Sequence, residues 1–171
     1  MNIFYLDRDP VRCAIMHCDK HVVKMILEYA QLLSTAHHLV DGEPSINCYK
    51  PTHKNHPSAV WVRENRSNYQ WLYQLLDNLL VEYTFRYGKV HKTESSGIFQ
   101  NLSKIPYELR GGKFTDPPQC MPDDCKIDGD TIAAYRNYYI REKYYMARWK
   151  FTHEPIWYTI GMAAEMKEEV Q

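Results

Sequence analysis

A stretch near the N-terminus, HCDKHVVKMILEYAQ at residues 17–31, concentrates side chains that can donate, accept or transfer protons. At 100° per residue, its polar residues and those just beyond it fall within about 100° of a helical arc. These residues are His17, Lys20, His21, Lys24, Glu28, Gln31, Thr35 and His38. Apolar residues occupy much of the remaining circumference. The sequence therefore predicts a helix that is covered on most sides and carries a narrow polar stripe.

Glu28 follows Lys24 by one helical turn and His21 by two turns. A carboxylate in such surroundings can act as a general acid or base, with a pKa that depends on burial and on nearby positive charge. A desolvated Lys24 can instead attack an electrophilic sugar or carbonyl carbon and form a Schiff base. The same spacing also fits solvated surface pairs of Lys20, Lys24 and Glu28, worth only about 0.2–0.5 kcal/mol each. Both interpretations stay open at the level of sequence.

A second feature is the aromatic and basic segment AYRNYYIREKYYMARWKFTHEPIWY at residues 134–158. Between Arg136 and Lys150 it contains five basic residues and one acid, Glu142, which gives a local charge of +4. Cations can hold phosphates while aromatic rings stack on unpaired bases. The alternative is that the rings form core and the cations extend from it to solvent. The predicted nucleic-acid-binding residues are His21, Arg63, Arg136, Arg141, Lys143, Trp157 and Tyr158.

Cysteine and histidine residues suggest a metal site as a further alternative. The residues concerned are Cys13, His17, Cys18, His21, His53, His56, Cys120 and Cys125. A structural zinc needs four converging nitrogen or sulfur ligands, which tight CxxC spacings often supply. The pairs Cys13 and Cys18, and Cys120 and Cys125, both lack that spacing. Buried inert thiols are the simpler interpretation. We therefore predict no metal and no cofactor.

Composition indicates one soluble globular domain over residues 1–171, because hydrophobic content is 44% and charged content is 25%. The formal net charge is zero, which argues against a generally basic phosphate binder but not against local patches. No apolar run is long enough to cross a bilayer, and the N-terminus lacks secretion features. The odd set of five cysteines is typical of free thiols. We expect a cytoplasmic protein.

The elements that must position these side chains are helices, and the predicted fold is all-α. Asp9 and Pro10 are typical of a helix start, and Asp41-Gly42 of a helix end. Gly88 is expected to end the second helix, and Asp130 is expected to cap the start of the third. The expected helices cover residues 10–40, with an interruption near Cys18 and Asp19, then 57–87, 131–150 and a short final helix after Pro155. Residues 89–129 are expected to form a long irregular loop with one short helix, and NIFYL at 2–6 a short strand.

Four short motifs carry a resemblance to a known family. Asp19-Lys20-His21 precedes Glu28 by seven residues, IPYELRGG lies at residues 105–112, and REK and PIWY lie at 141–143 and 155–158. In this order and spacing the chain resembles the phage pyrimidine-dimer DNA glycosylase/AP lyase family, which consists of small all-helical repair enzymes. It also resembles a family of small tailed-phage proteins, and that second resemblance implies no activity.

The glycosylase resemblance implies a catalytic role for Glu28 and a nucleophilic role for the α-amino group of the N-terminal residue. Because Asn2 is large, we expect Met1 to be retained and to supply that amine, with Lys24 as the other candidate. The family has arginines just before the catalytic glutamate and three residues after it, where this chain has Leu27 and Gln31. Phosphate clamping is therefore expected from other positions. Arg63, Arg136 and Arg141 are the candidates.

Two classes of function follow from these observations. The first is a DNA-binding enzyme that cleaves the glycosidic bond of a damaged or modified base in duplex DNA through an amine Schiff base, with Glu28 as acid and base. The second is a non-catalytic module on the same scaffold that binds nucleic acid or a host protein. A zinc-stapled interaction domain is a third and weaker alternative.

Overall fold

The computed structural model describes residues 1–171 and contains helices, turns and irregular segments but no β-strand. The helices are α1 Pro10–Met16, α2 Asp19–Asp41, α3 Pro57–Val62, α4 Arg66–Tyr87, α5 Lys92–Ser95, α6 Ile98–Asn101, α7 Thr131–Glu142 and α8 Ile156–Val170, with a 3₁₀ turn at Asp123–Cys125. The prediction of an all-α fold is confirmed. None of these helices combines the length and the apolar character that crossing a bilayer would require.

The two long helices α2 and α4 pack against each other, α1 packs on α4, and α7 packs on α8. Their ends follow the local signals in the sequence. The Asp9 carboxylate accepts a hydrogen bond from Val11 N at 2.9 Å, and that of Asp130 accepts one from Ala133 N at 3.0 Å. Gly88 ends α4 in the left-handed region at φ 65°, where a residue without Cβ is favoured.

The predicted helix over residues 10–40 is two helices, with the expected interruption at His17 and Cys18. Arg86, fully buried near the end of α4, explains how this break is stabilised. Its Nη2 donates to the carbonyl of Ile15 at 2.9 Å, and its Nη1 donates to that of His17 at 2.7 Å. These carbonyls lie at the end of α1, where the helix itself supplies no donor.

The same guanidinium also pairs with two carboxylates. Nη1 of Arg86 lies 3.1 Å from Asp19 Oδ1 at the start of α2, and Nε lies 2.9 Å from Glu82 Oε2 one turn earlier on α4. A buried charge is tolerated only when it is paired and hydrogen-bonded, and Arg86 meets both conditions. One side chain therefore connects α1, α2 and α4.

The predicted helix over residues 57–87 is also interrupted, because Asn65 caps α4 by accepting from Asn68 N at 2.9 Å. The GG pair of the IPYELRGG motif packs against this cap. A Cβ on Gly112 would lie 2.8 Å from the Cβ of Asn65, so the close approach requires glycine. Ser67 Oγ donates to the Gly112 carbonyl at 2.6 Å, and Arg66 N donates to the Arg110 carbonyl at 2.8 Å. Through this motif, the irregular segment 102–122 is attached to the start of α4.

The prediction that the third helix extends to Lys150 is wrong, since α7 ends at Glu142. The chain leaves the helix because Asp19 binds the following segment. Asp19 N donates to the Arg148 carbonyl at 2.8 Å, and Asp19 Oδ1 accepts from Lys150 N at 2.9 Å. Within residues 89–129, where one short helix was expected, the structure has α5, α6 and the 3₁₀ turn.

The predicted strand NIFYL is also wrong, although Ile3, Phe4, Tyr5 and Leu6 are buried. No second strand lies beside this segment, and side chains satisfy its backbone instead. Phe4 N donates to Tyr29 Oη at 3.1 Å, and Cys13 Sγ donates to the Phe4 carbonyl at 3.1 Å. Arg136 Nε donates to the Leu6 carbonyl at 3.0 Å.

Replacing Arg86 by methionine should destabilise the protein strongly, because two carboxylates and two helix-end carbonyls would lose their shared donor. Removing one partner of a buried ion pair costs about 3–5 kcal/mol. Urea unfolding measures the loss. Arg12→Met, which removes an exposed pair with Asp9 at 3.9 Å, is the control and should cost at most about 1 kcal/mol. Equal losses in the two variants would contradict the assigned role of Arg86.

Candidate functional site

A chain of hydrogen bonds fixes the N-terminal segment against α2. Nδ1 of His17 lies 2.7 Å from the Cys13 carbonyl, which can only accept, so Nδ1 carries the proton. Nε2 of His17 then accepts from the Tyr29 hydroxyl at 2.7 Å. Tyr29 in turn accepts from Phe4 N at 3.1 Å. Burial lowers the pKa of His17 to about 4, so the neutral ring that this chain requires is the form present near pH 7.

The anchored segment leads Met1 to a small cavity beside α2. The cavity has a volume of about 150 Å³ and includes side chains from the N-terminal segment, α2, α7 and the C-cap of α7. Its lining residues are Met1, Asn2, Phe4, His21, Lys24, Met25, Glu28, Tyr138 and Lys143. Residues far apart in sequence therefore surround one small volume, which we call the N-terminal cavity.

His21 is held in this cavity by a hydrogen bond and by ring stacking. Its Nδ1 lies 2.7 Å from the Tyr139 hydroxyl, and its ring stacks on Phe4 with centroids 4.1 Å apart. The Tyr139 hydroxyl also accepts from Cys18 N at 3.2 Å, and His21 Nδ1 is the one partner of this buried hydroxyl that can accept its proton, so we assign the proton of this bond to Tyr139. The neutral ring then carries its proton on Nε2. Because His21 lines the cavity, Nε2–H is available to an acceptor on a ligand.

The charge of the cavity lining is predominantly positive. Lys24 and Lys143 contribute two cations, and Glu28 contributes one carboxylate. Burial lowers the pKa of His21 to about 2, with contributions from the positive fields of Lys143 and Lys24. Lys143 is itself held above the Tyr138 ring, with Nζ 4.9 Å from the ring centroid. This arrangement favours an anionic or electron-rich ligand.

A larger groove adjoins the cavity along α2 and extends to the start of α5. Its volume is about 660 Å³. The lining residues are Val23, Lys24, Leu27, Glu28, Gln31, Tyr49, His91 and Lys92. Lys24 and Glu28 line both spaces, so they form the boundary between the N-terminal cavity and this α2 groove.

The structure brings together all three predicted catalytic residues, Met1, Lys24 and Glu28, at the N-terminal cavity. Two of the predicted nucleic-acid-binding residues, His21 and Lys143, line the same cavity. The remaining five predicted binding residues lie elsewhere.

Arg136 and Arg141 are engaged in contacts within the protein. Arg136 donates to the Leu6 carbonyl, lies 3.8 Å from the Asp7 carboxylate and packs over the Trp157 ring at 5.2 Å. Arg141 donates to the Asp124 carbonyl at 2.8 Å and pairs with Glu165 at 3.4 Å. Both residues hold neighbouring segments against α7, so binding a phosphate would require them to give up these contacts.

Trp157, Tyr158 and Arg63 also lie outside the cavity. Tyr158 is only 5% exposed and packs on Trp149 with centroids 4.8 Å apart, so it offers no surface on which a base can stack. Trp157 is half-buried, and its Nε1 donates to Met16 Sδ at 3.4 Å. Arg63 follows α3, its Nη1 is buried without a partner, and burial lowers its pKa.

The sulfur and nitrogen atoms considered for zinc do not converge. Cys13 and His17 bind backbone carbonyls, and His21 binds Tyr139. Among all 171 residues, one group of three potential ligands has its atoms within 4.8 Å of one another, namely Asp124, Cys125 and Glu142. Two of its members are exposed acids, and nothing else at this place indicates a metal.

Sequence reasoning missed Phe4, Tyr138 and Tyr139, which complete the site. Tyr138 and Tyr139 stand in the aromatic segment assigned to nucleic-acid contact, and no spacing rule connects them with His21 more than 100 residues earlier. Phe4 was assigned to a strand. Only the packing of α7 beside the N-terminal segment reveals their common location.

Comparison of the chain with protein-family models, with curated proteins and with solved structures finds no match. The geometry of the site therefore carries the functional argument.

We expect stability to fall as the pH is lowered from about 6.5 towards 4. In the unfolded chain, His17 and His21 protonate at their ordinary pKa of 6.5, whereas in the folded protein their pKa values are about 4 and about 2. The unfolded state then binds more protons. Each histidine lowers the free energy of unfolding by about 1.4 kcal/mol per pH unit in this window.

Urea unfolding between about pH 5 and 7 tests this dependence. His21→Gln removes one buried imidazole. The free energy of unfolding should then change less steeply with pH, by about 1.4 kcal/mol per pH unit. His153→Gln removes an exposed histidine and serves as the control. An unchanged slope in His21→Gln would contradict a neutral, buried His21.

Proposed function

We propose that this protein is a DNA glycosylase/AP lyase acting on a damaged or modified base in duplex DNA. The observation that carries the proposal is that Met1, Lys24 and Glu28 line one cavity. An amine and a carboxylate beside it are the two groups that glycosidic cleavage through a Schiff base requires. The resemblance to the pyrimidine-dimer glycosylases supports the same division of roles.

In the first step the Glu28 carboxylate takes a proton from the ammonium group, and the free amine attacks C1′ of the deoxyribose and forms an N–C1′ bond. The bond from C1′ to the base breaks, and its electron pair leaves with the base. Glu28, in its acid form, supplies the proton that the departing base takes up. The C1′–O4′ bond then breaks, O4′ takes up one proton from the attached nitrogen, and the nitrogen lone pair forms the double bond of a protonated imine between the protein and C1′.

The Glu28 carboxylate formed in this way then removes a proton from C2′. The C–H electron pair becomes the C2′–C3′ double bond and expels the 3′-phosphate, which cleaves the strand. Water hydrolyses the imine and returns the free amine. Every proton and electron pair is accounted for without an added oxidant, reductant or metal.

The other groups of the cavity support binding of this substrate. Lys143 and whichever of the two candidate amines is not the nucleophile place positive charge where the phosphates of a strand would approach. The Nε2–H of His21 offers a neutral donor to an oxygen of the sugar or base. The nucleotide must leave the base stack to reach the cavity, which costs a few kcal/mol and is least costly for damaged or mispaired bases.

Borohydride trapping on duplex DNA with an abasic site tests the proposal, because borohydride reduces the imine to a stable covalent adduct. We expect an adduct with the wild-type protein. Glu28→Gln should still form the adduct at the abasic site but should slow the strand cleavage that follows by about 10²–10⁴-fold, the usual contribution of a general acid or base, because Glu28 removes the C2′ proton. Glu43→Gln, an exposed carboxylate beyond the end of α2, is the matched control. Binding without any adduct would contradict the enzyme proposal and favour the non-catalytic module.

A second comparison identifies the nucleophile. Lys24→Met removes one candidate amine, and a short N-terminal extension before Met1 removes the other. Lys20→Met, exposed on the same helix but outside the cavity, is the control for the lysine substitution. We expect trapping to persist in Lys24→Met and to disappear in the extended protein. The reverse result would assign the nucleophile to Lys24.

A further inference from the structure

The α2 groove begins at Lys24 and Glu28, which it shares with the N-terminal cavity, and its other lining residues take no part in the chemical steps. Ligand sites for small molecules usually have volumes of about 300–1,000 Å³. The N-terminal cavity, at about 150 Å³, lies below this range, and the α2 groove, at about 660 Å³, lies within it. A sugar placed beside Lys24 and Glu28 therefore has room for its base on the groove side of that boundary.

The floor of the groove is apolar and aromatic. Val23 is 42% exposed and Leu27 is 41% exposed, although both lie on a helix that is otherwise well covered. Tyr49 lines the same groove, with its hydroxyl 2.8 Å from Thr93 Oγ1 and its backbone N donating to Ser34 Oγ at 3.1 Å. An aromatic residue fixed at its hydroxyl and its backbone, in a groove with exposed aliphatic groups, is suited to contact a flat, unpaired base.

The polar groups of the groove can bind the edges of such a base and its phosphate. The Gln31 amide offers both a donor and an acceptor. Nδ1 of His91 accepts from Thr93 N at 3.0 Å, so the neutral His91 ring carries its proton on Nε2. Lys24 and Lys92 supply positive charge from α2 and α5. This combination fits a nucleotide better than it fits an apolar peptide or a lipid chain.

We propose that the α2 groove binds one unstacked nucleobase, with Leu27 and Tyr49 as its stacking surface, while the attached sugar lies at the N-terminal cavity. This inference rests on the proposed function for its choice of a DNA strand as the ligand. It assigns specificity for the base to Leu27, Gln31, Tyr49, His91 and Lys92, apart from the groups that perform the chemistry.

Equilibrium binding of two short strands tests the groove without requiring the natural lesion. One strand consists entirely of tetrahydrofuran abasic residues, and the other carries a single thymine at its centre. Because stacking of one base on an aromatic side chain strengthens binding severalfold, wild-type protein should bind the thymine strand at least about fivefold more tightly. Leu27→Gln should abolish this preference and leave the affinity for the abasic strand unchanged.

Leu39→Gln is the matched control, because Leu39 is 39% exposed on the same helix and does not line the groove. Tyr49→Ala provides a second variant and should also remove the preference for thymine. Equal affinities of the wild-type protein for the two strands would overturn the proposal. A Leu27→Gln variant whose affinity falls equally for both strands would also overturn it. Absence of a borohydride adduct would overturn the lyase chemistry without changing this affinity ratio, so the two proposals fail separately.

Discussion

The hydrogen bonds and ion pairs of the buried Arg86 guanidinium are the interactions on which the packing of α1, α2 and α4 depends. The guanidinium donates to the carbonyls of Ile15 and His17 at the end of α1 and pairs with the Asp19 carboxylate at the start of α2, so these groups are paired where the chain turns between the two helices. A charge inside the protein is stable only when its partners are in place. The position of α1 relative to α2 and α4 is consequently tied to this one side chain.

The turn that Arg86 stabilises also positions the candidate site. It places His17 beside Tyr29, and their hydrogen bonds hold Phe4 N and thus the path of residues 1–6. Asp19, the carboxylate partner of Arg86, binds the backbone that follows α7. Cys18 N binds Tyr139, the residue that fixes the tautomer of His21. The HCDKH stretch thus orients groups around the cavity, and of its members only His21 lines it.

The predictable part of the structure consists of features set within a few residues. The caps at Asp9 and Asp130, the end at Gly88 and the polar stripe of α2 follow from local hydrogen bonding and from helical periodicity. Glu28 and Lys24 could be proposed as a pair because helix geometry alone places them one turn apart. The failures at NIFYL and at residues 143–150 have a common cause, since in both places side chains distant in sequence satisfy the backbone.

By itself the sequence determined the helical class, the helix ends that local caps and glycine residues signal, and the short list of groups able to perform acid, base or amine chemistry. Tertiary structure alone decided which of these groups meet. Met1 and Lys143 reach the cavity because buried hydrogen bonds route the N-terminal segment and the end of α7 past α2, whereas Arg136, Arg141 and Tyr158 are occupied by packing. Periodicity specifies the face of one helix, but a cavity forms between elements, and its lining depends on contacts that no local pattern encodes.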